Sequence, residues 1–569
     1  MPMDQPRKRR RNRQANFRAD LVAAVAVTAL MVPHGMAYAE LAGLPAINGL
    51  YTTVAALTVY AIVGPSRYLL LGPDSSLAPL IAATVALAVV GTDPQQAIAV
   101  GSLLALVSGA ICIIAGLVRL ATIAELLSRP VQLGYLNGLA IVMVISQLAK
   151  LCGFSVPSGS PPGRFVDTIE GLIDGRTETS ALLVGLLALV AIVASSGYPR
   201  IPMVLIAVVG ATLAVGIFEL SNLAVVGEVP RGFPTPAMPD LDAGDLGTIF
   251  AASFGLAWVT LTDTTALSRG FAHKTGESVD PNQEIVALGA SNIAAGAFAG
   301  FPVSASTTRT TLAFTSGGQT KAVGLISAAA LVVLLFVGGG LVADLPITVL
   351  AAIVIAAAIN LFDWKQLRWL SQVRVSEFRL ALATTVAVVA FGVLNGLLIA
   401  IGLSIANFVR RVWRPYDAVL GRIDQRPGHH DITRHPDAHQ VPGLVVFRFD
   451  APLFFANADH FLRRVSDVIE SSQSSGQPVH RFIVAGDPMT DIDTSGADAL
   501  ATLIRRLEDQ GIEFGFATLR GPVKDRLHKY ELYDRIGAER FYETIGTATS
   551  AYIEDYGIDW TDWTDRTDT

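Results

Sequence analysis

The chain has 569 residues, of which 51% are hydrophobic and only 16% charged, with a formal net charge of −6 and a mean hydropathy of +0.49. So much apolar surface cannot be hidden in a water-soluble core, which excludes an ordinary globular protein and describes a polytopic α-helical membrane protein. The chain carries no nucleotide-binding glycine loop, no carbonic-anhydrase motif and no His/Cys metal set; an enzyme reading therefore has little support, and neither a metal nor a nucleic-acid partner is expected.

Residues 1–17 form a basic leader with Arg7, Lys8, Arg9, Arg10, Arg11 and Arg13, and Arg18 follows directly. Basic residues resist crossing, so the N-terminus is placed in the cytoplasm, where the leader attracts anionic lipid headgroups. The span that follows has no small-residue cleavage site, so the leader is read as retained and not as a signal peptide. Residues 18–415 form a transmembrane domain with apolar blocks at 18–40, 49–63, 76–92, 95–117, 131–152, 180–197, 201–219, 246–267, 283–299, 304–315, 320–342, 346–361, 376–392 and 393–412. A full crossing needs about 20 residues, and several blocks are shorter, which fits broken helices. With fourteen crossings the basic loops at Arg119 and Arg129, Arg269 and Lys274, Lys365 and Arg368, and Arg410, Arg411 and Arg414 return to the leader's side. The loop 220–245, with Glu228, Asp240, Asp242 and Asp245, falls outside, and the C-terminus is cytoplasmic.

Two of the short blocks are interrupted by polar, helix-breaking sequence: Gly72-Pro73-Asp74-Ser75-Ser76, and Pro302-Val303-Ser304-Ala305-Ser306-Thr307-Thr308-Arg309. Paired interruptions in two halves of a chain point to a secondary transporter built from inverted repeats, with its substrate between half-helix N-termini. Asp263, in Thr260-Leu261-Thr262-Asp263-Thr264-Thr265, is an intramembrane carboxylate and a functional candidate by default. Arg309 costs at least ~2.5 kcal/mol to insert and is kept either for a pathway or for a polar partner. Cys112 and Cys152 have no paired spacing and read as packing residues. Glu40, near the end of the first span, reads as a solvated carboxylate.

Beyond residue 415 no apolar run is long enough to cross. A polar linker, 416–440, leads to a small α/β domain at 441–558 and a loose tail at 559–569. Within that domain the pattern predicts strands at 444–449, 481–486 and 513–518 alternating with helices near 456–470, 495–510 and 522–532.

The opening run from Asp20 through Met31-Val32-Pro33-His34-Gly35-Met36-Ala37-Tyr38-Ala39, with Leu41-Ala42-Gly43-Leu44-Pro45, resembles the SulP sulfate permease family of anion transporters. Gly72-Pro73-Asp74, Asp280 with Asn282 and Glu284, and Phe301 to Ser306 continue the resemblance. Phe447-Arg448-Phe449-Asp450 and Asp493-Thr494-Ser495-Gly496 are similar to its C-terminal STAS domain.

The resemblance implies a seven-plus-seven inverted repeat with core and gate domains, followed by the cytoplasmic STAS domain. The third and tenth spans would be half-helices meeting head to head, holding an anion on amides around Ser75, Ser76, Ser306, Thr307 and Thr308. Pro33, His34, Tyr38, Asp74, Ser304, Ala305 and Arg309 would complete the site. Asp263, with Thr262, would couple transport to Na+ or H+; Arg309 either lends the pocket positive potential or pairs with Asp263. His34 stands where the family commonly has Gln, and either titrates or simply replaces an amide donor. Ser495 is either part of a helix cap or, as in bacterial STAS relatives, a phosphorylation site. The expected partners are a small anion (sulfate, bicarbonate or a dicarboxylate), membrane lipid of the cell membrane and a second copy in a homodimer, with no cofactor beyond the coupling ion. A nucleobase permease of the same fold and a STAS-linked anion sensor are the alternatives.

Overall fold

The computed structural model describes residues 5–89, 93–120, 128–157, 159–195, 203–218, 222–227, 230, 232–236, 246–337, 343–423 and 426–560. The expectations on Glu228, Asp240, Asp242 and Asp245, on the basic side chains of the leader before Phe17 and on the tail beyond 560 lie outside the described residues. The chain divides into two compact units, Met1–Ser404 and Ile405–Thr569.

The first unit is helical: α1 (Gln5–Leu41), α2 (Ala46–Val63), α3 (Ala78–Ala88), α4 (Pro94–Leu117), α5 (Arg129–Leu151), α6 (Pro161–Ile173), α7 (Thr179–Ala194) and α8 (Met203–Ile217), then α9 (Leu246–Thr275), α10 (Pro281–Ala297), α11 (Thr307–Thr315), α12 (Ala322–Val337), α13 (Ile347–Leu361), α14 (Trp364–Val373), α15 (Val375–Phe391) and α16 (Val393–Trp413). Each of the fourteen apolar blocks carries a helix, and among the described residues six helical segments are long and apolar enough to cross a membrane by themselves. Two helices were not anticipated. α6 and α14 are short and amphipathic, and Phe165, Val166, Ile169 and Leu172 of α6 leave their apolar faces exposed, the pattern of a helix lying in a membrane interface. Lys365 and Arg368, read as a loop pair, therefore sit on α14.

The helices sort into two bundles. α1–α4 pack among α9–α12, and α5, α7 and α8 pack against α13 and α15, with only α1 and α3 reaching substantially across. The first bundle holds the first four spans of each seven-span half; the second holds the last three of the first half and two of the last three of the second. Inside the first bundle α4 and α10 lie nearly backbone to backbone: a Cβ on Gly109 would stand 2.7 Å from the Gly289 carbonyl oxygen, and one on Gly289 2.6 Å from that of Gly109. Lipid supplies no hydrophobic drive between helices, so such small-residue contacts provide the packing.

The second unit is a six-stranded sheet in the order β4-β3-β5-β6-β7-β8, made of β3 (Asp417–Ile423), β4 (Arg426–Asp431), β5 (Leu444–Phe449), β6 (Arg481–Ala485), β7 (Glu513–Ala517) and β8 (Phe541–Tyr542). β5 to β8 run parallel, and β3 lies antiparallel to both β4 and β5. Helices α17 (Ala458–Ser474), α18 (Thr494–Asp509), α19 (Gly521–Lys529), α20 (Leu532–Ile536) and α21 (Ile545–Tyr556) complete it. The three predicted strands are the buried parallel ones, whose continuous apolar runs are legible. The stretch read as a linker, 416–440, is instead folded. β3 pairs Asp417 to Leu420 with Phe449 to Val446, and β4 is the polar edge strand beyond it. A Pro- and Gly-containing edge strand carries no apolar signal, which is how it passes for a connector. Arg481, 2% exposed, is held by Glu513 and Asp555, both at 2.6 Å, and ties α21 to the sheet.

Candidate functional site

The two interrupted segments meet. Before α3 the chain forms β1 (Leu71–Gly72) and before α11 it forms β2 (Ser304–Ala305), and these pair antiparallel with Leu71 opposite Ala305 and Gly72 opposite Ser304. Pro73 has no N–H to continue the ladder, so the chain turns out of it toward α3. The ladder is extended by the Ser306 amide donating to the Leu70 carbonyl at 3.4 Å. Around it, Asn292 grips Val303 through both backbone groups, at 2.9 and 3.2 Å, and Thr264 accepts from the Ala305 amide at 3.3 Å. The Leu70 amide donates to Thr310 at 3.3 Å.

Arg309, 3% exposed, reaches from α11 across the ladder. It donates to the carbonyls of Pro73, Gly72 (3.1 Å) and Ser304 (3.3 Å), and its Nη2 lies 3.7 Å from Asp74 Oδ2. Of the two readings of Arg309, positive potential for the pocket or pairing with a carboxylate, the second had Asp263 as its candidate. The structure gives Asp74 and the α3 entry backbone instead, because the head-to-head pairing of β1 with β2 places the guanidinium over Gly72 and Pro73. Asp263, on α9, is bonded to Ser76: the Ser76 hydroxyl stands 3.1 Å from Asp263 Oδ2 and 3.0 Å from Asp74 Oδ1.

The donors expected for an anion are thus only partly open. The Ser76 amide is taken by Asp74 Oδ1 at 3.1 Å, Leu77 and Ala78 donate to the Asp74 carbonyl, and the Ala305 and Ser306 amides are spent as above. Ser75 lies within electrostatic reach of the Tyr38 hydroxyl. On α11 the first amide with a helical acceptor is that of Thr310, bonded to Ser306 O at 3.0 Å. The amides of Thr307, Thr308 and Arg309 therefore make up the open first turn, and Thr307 and Thr308 are exposed.

Pro33 and His34 lie inside α1. Pro33 removes one helical donor, and His34 Nδ1 donates to the Leu30 carbonyl at 2.9 Å while its ring meets Tyr38 edge-on at 5.7 Å. The Thr262 hydroxyl donates to the Trp258 carbonyl at 2.9 Å, so its hydrogen turns back along α9 and away from Asp263. Glu40 is not simply solvated: it pairs with Lys150 of α5 at 2.7 Å. In the second unit Ser495 is exposed in the first turn of α18, and the capping is done by Asp493, which accepts from Gly496 at 2.7 Å and from the Phe455 amide at 3.0 Å.

Residues that the sequence reading did not single out complete the site. Tyr135 of α5 brings a buried hydroxyl, without a hydrogen-bond partner among the described residues, within electrostatic reach of Asp263. The Ser304 hydroxyl and Arg309 Nε are also buried without a partner among the described residues, a set of orphaned polar groups of the kind a polar ligand or water satisfies. Asn292, among the residues that carry the family resemblance, Thr264, in the stretch around Asp263, and Thr310 are polar side chains inside apolar blocks but had no role assigned; Tyr135 had no signal.

The sulfate permease family model matches residues 17–384 and the STAS domain model residues 435–548. The probable sulfate transporter MT1781 of Mycobacterium tuberculosis is 40% identical over 542 residues, covering 94% of this chain and 95% of that protein. Among solved structures, SLC26A9 superposes with a TM-score of 0.86 at 21% identity over 96% of this chain and 91% of its own. The transmembrane domain of the cyanobacterial bicarbonate transporter BicA gives 0.60 at 24% identity, over 68% of this chain and 97% of its own.

Proposed function

Since the chain belongs to the sulfate permease family of anion transporters, we propose that it carries sulfate across the cell membrane by alternating access, together with a proton taken up on Asp263. The observation that carries this reading is the buried Arg309 at the meeting point of two half-helix N-termini, beside orphaned polar groups. Helix N-termini and a guanidinium favour an oxyanion there, and the name of the mycobacterial relative favours sulfate among the oxyanions.

Hydrogen-bond arithmetic favours a proton over sodium. The Ser76 hydroxyl has one hydrogen but stands within 3.1 Å of two carboxylate oxygens. It can donate to one and must accept from the other, so both contacts are satisfied only when one carboxyl carries a proton. Asp74 accepts the Ser76 amide and faces Arg309, which suits its ionised form; the proton therefore belongs on Asp263. Charge balance agrees. With Asp263 neutral, Arg309 and Asp74 cancel and the helix ends favour an anion; with Asp263 ionised, the anion is repelled, so anion and proton promote each other's binding. By the positive-inside rule both termini face the cytoplasm. Ser495, in the first turn of α18, would be the place for a regulatory phosphate.

Radiolabelled uptake into proteoliposomes tests this. An inward proton gradient should drive sulfate above equilibrium and a sodium gradient should not. Sodium-driven accumulation at equal pH would overturn the proton assignment, and no uptake of any oxyanion would overturn the transport reading.

A further inference from the structure

At the end of the membrane unit where α1 and α5 both finish, a cavity of about 850 Å³ opens between the two bundles. A second, of about 410 Å³, adjoins it, and the two share Leu41, Ala82, Ala86, Ser146 and Arg164. Pro79, Ala82, Ala83 and Ala86 of α3 line the inner wall. At helical spacing these form one narrow face leading from the α3 entry, where Ser75 and Ser76 sit, to the mouth.

The cations at the mouth are unequal. Lys150 is paired with Glu40 at 2.7 Å and Arg176 with Asp174 at 3.0 Å, while Asp93 caps α4 by accepting from Gln95 at 2.9 Å. Arg164, on α6, lines both cavities, and its Nε is buried without a hydrogen-bond partner among the described residues. The exposed apolar residues of α6 fix that helix in the interface plane. A guanidinium held over a cavity with no carboxylate partner of its own among the described residues is a standing attraction for an anion.

We propose that Arg164, with Lys150 on the wall of the same cavity, forms a second anion-binding subsite, which captures a small oxyanion at the mouth and passes it along α3 to the central site. The Glu40–Lys150 pair joins α1 of one bundle to α5 of the other. An arriving dianion competes with Glu40 for the ammonium, so capture also loosens the link between the bundles. This inference rests on the transport reading and on the orientation that places this mouth outside.

The test is radiolabelled sulfate uptake by right-side-out and inside-out vesicles carrying the full chain. Arg164→Gln should raise the outer-side KM roughly three- to tenfold, with Vmax within about twofold and the inner-side KM unchanged. Arg164→Lys, which keeps the charge, should restore most of the loss. Glu40→Gln, which frees Lys150, should lower the outer KM, and this arm stands even if Arg164→Gln fails to fold. An unchanged outer KM in folded Arg164→Gln, a rise equal from both sides, or an unchanged KM in Glu40→Gln would overturn the subsite while wild-type uptake leaves the transport reading standing. A wild type that takes up no sulfate would overturn both.

Discussion

Replacing Asp263 by asparagine separates binding from coupling. In the proposed loaded state the carboxyl of Asp263 donates to Ser76, and Ser76 donates to Asp74. An asparagine amide can make the same donation, so Asp263→Asn copies the protonated arrangement and cannot leave it. Sulfate affinity should then stay within about threefold of wild type, because the charge seen by the anion is that of the loaded site. Accumulation should vanish. One proton per anion, with membrane potential clamped at zero, converts each pH unit into about 1.4 kcal/mol, or roughly tenfold accumulation. The wild type should therefore sustain about tenfold internal sulfate under a one-unit inward pH step, and Asp263→Asn no excess, while sulfate–sulfate exchange persists. Tenfold accumulation in the mutant would refute the role of Asp263, and lost binding in a folded mutant would make the carboxylate a ligand instead.

Arg309→Lys keeps the charge but can satisfy about one of the three carbonyls that Arg309 holds. It should cost roughly 3–6 kcal/mol of stability from two lost charge-assisted bonds, read as a lower melting temperature in detergent, and wild-type melting would show that the clamp contributes nothing. Ser306→Ala should weaken sulfate binding by at most about 0.5–1.5 kcal/mol, whereas Thr308→Glu, placing a carboxylate at the open turn of α11, should abolish it by calorimetry; wild-type affinity in folded Thr308→Glu would move the site elsewhere. Gly109→Val pushes a branched side chain into the Gly289 carbonyl and should prevent recovery of monodisperse protein, a result checked by size-exclusion chromatography. In the STAS unit, burial first, then Arg422 and His430, pushes His429 down to about 4. The unfolded chain takes up that proton near pH 6.5 and the folded one only near 4, so this contribution is complete above about pH 6.5 and is lost as pH falls toward 4. It amounts to up to about 3 kcal/mol; denaturant melts of residues 414–569 should show this slope, and His429→Gln should flatten it.

What was legible in the sequence follows from what is local. Apolar runs gave all the spans, Gly72-Pro73 and Phe301-Pro302 gave the breaks, and the buried strands β5 to β7 appeared because they are apolar on both faces. The pairing of Arg309 with Asp74 was not legible, since it depends on how two segments over two hundred residues apart meet head to head. Neither was the loss of Ser76 as a free donor, which follows from Asp74 folding back over the turn. α6 and α14 were missed because interfacial helices are too polar to read as spans, and β4 because an edge strand can be polar throughout. Tyr135 enters from the opposite bundle, and no local pattern marks a side chain whose importance lies in what faces it.

The two-residue ladder between β1 and β2 has a mechanical consequence. With Arg309 stitched over it and Asn292 and Thr264 bracing β2, the seat for the anion cannot be unloaded by drawing its two half-helices apart without breaking several buried hydrogen bonds at once. The grip must therefore keep one shape while the opposite bundle slides past it. In the proposed transport cycle a seat of fixed shape presents the same grip to the anion from either side, so any difference between the two sides lies in the approaches to the seat and not in the seat itself. On the proposed proton coupling, net direction is then set by the gradients, and with the proton gradient collapsed no sulfate should accumulate on either side.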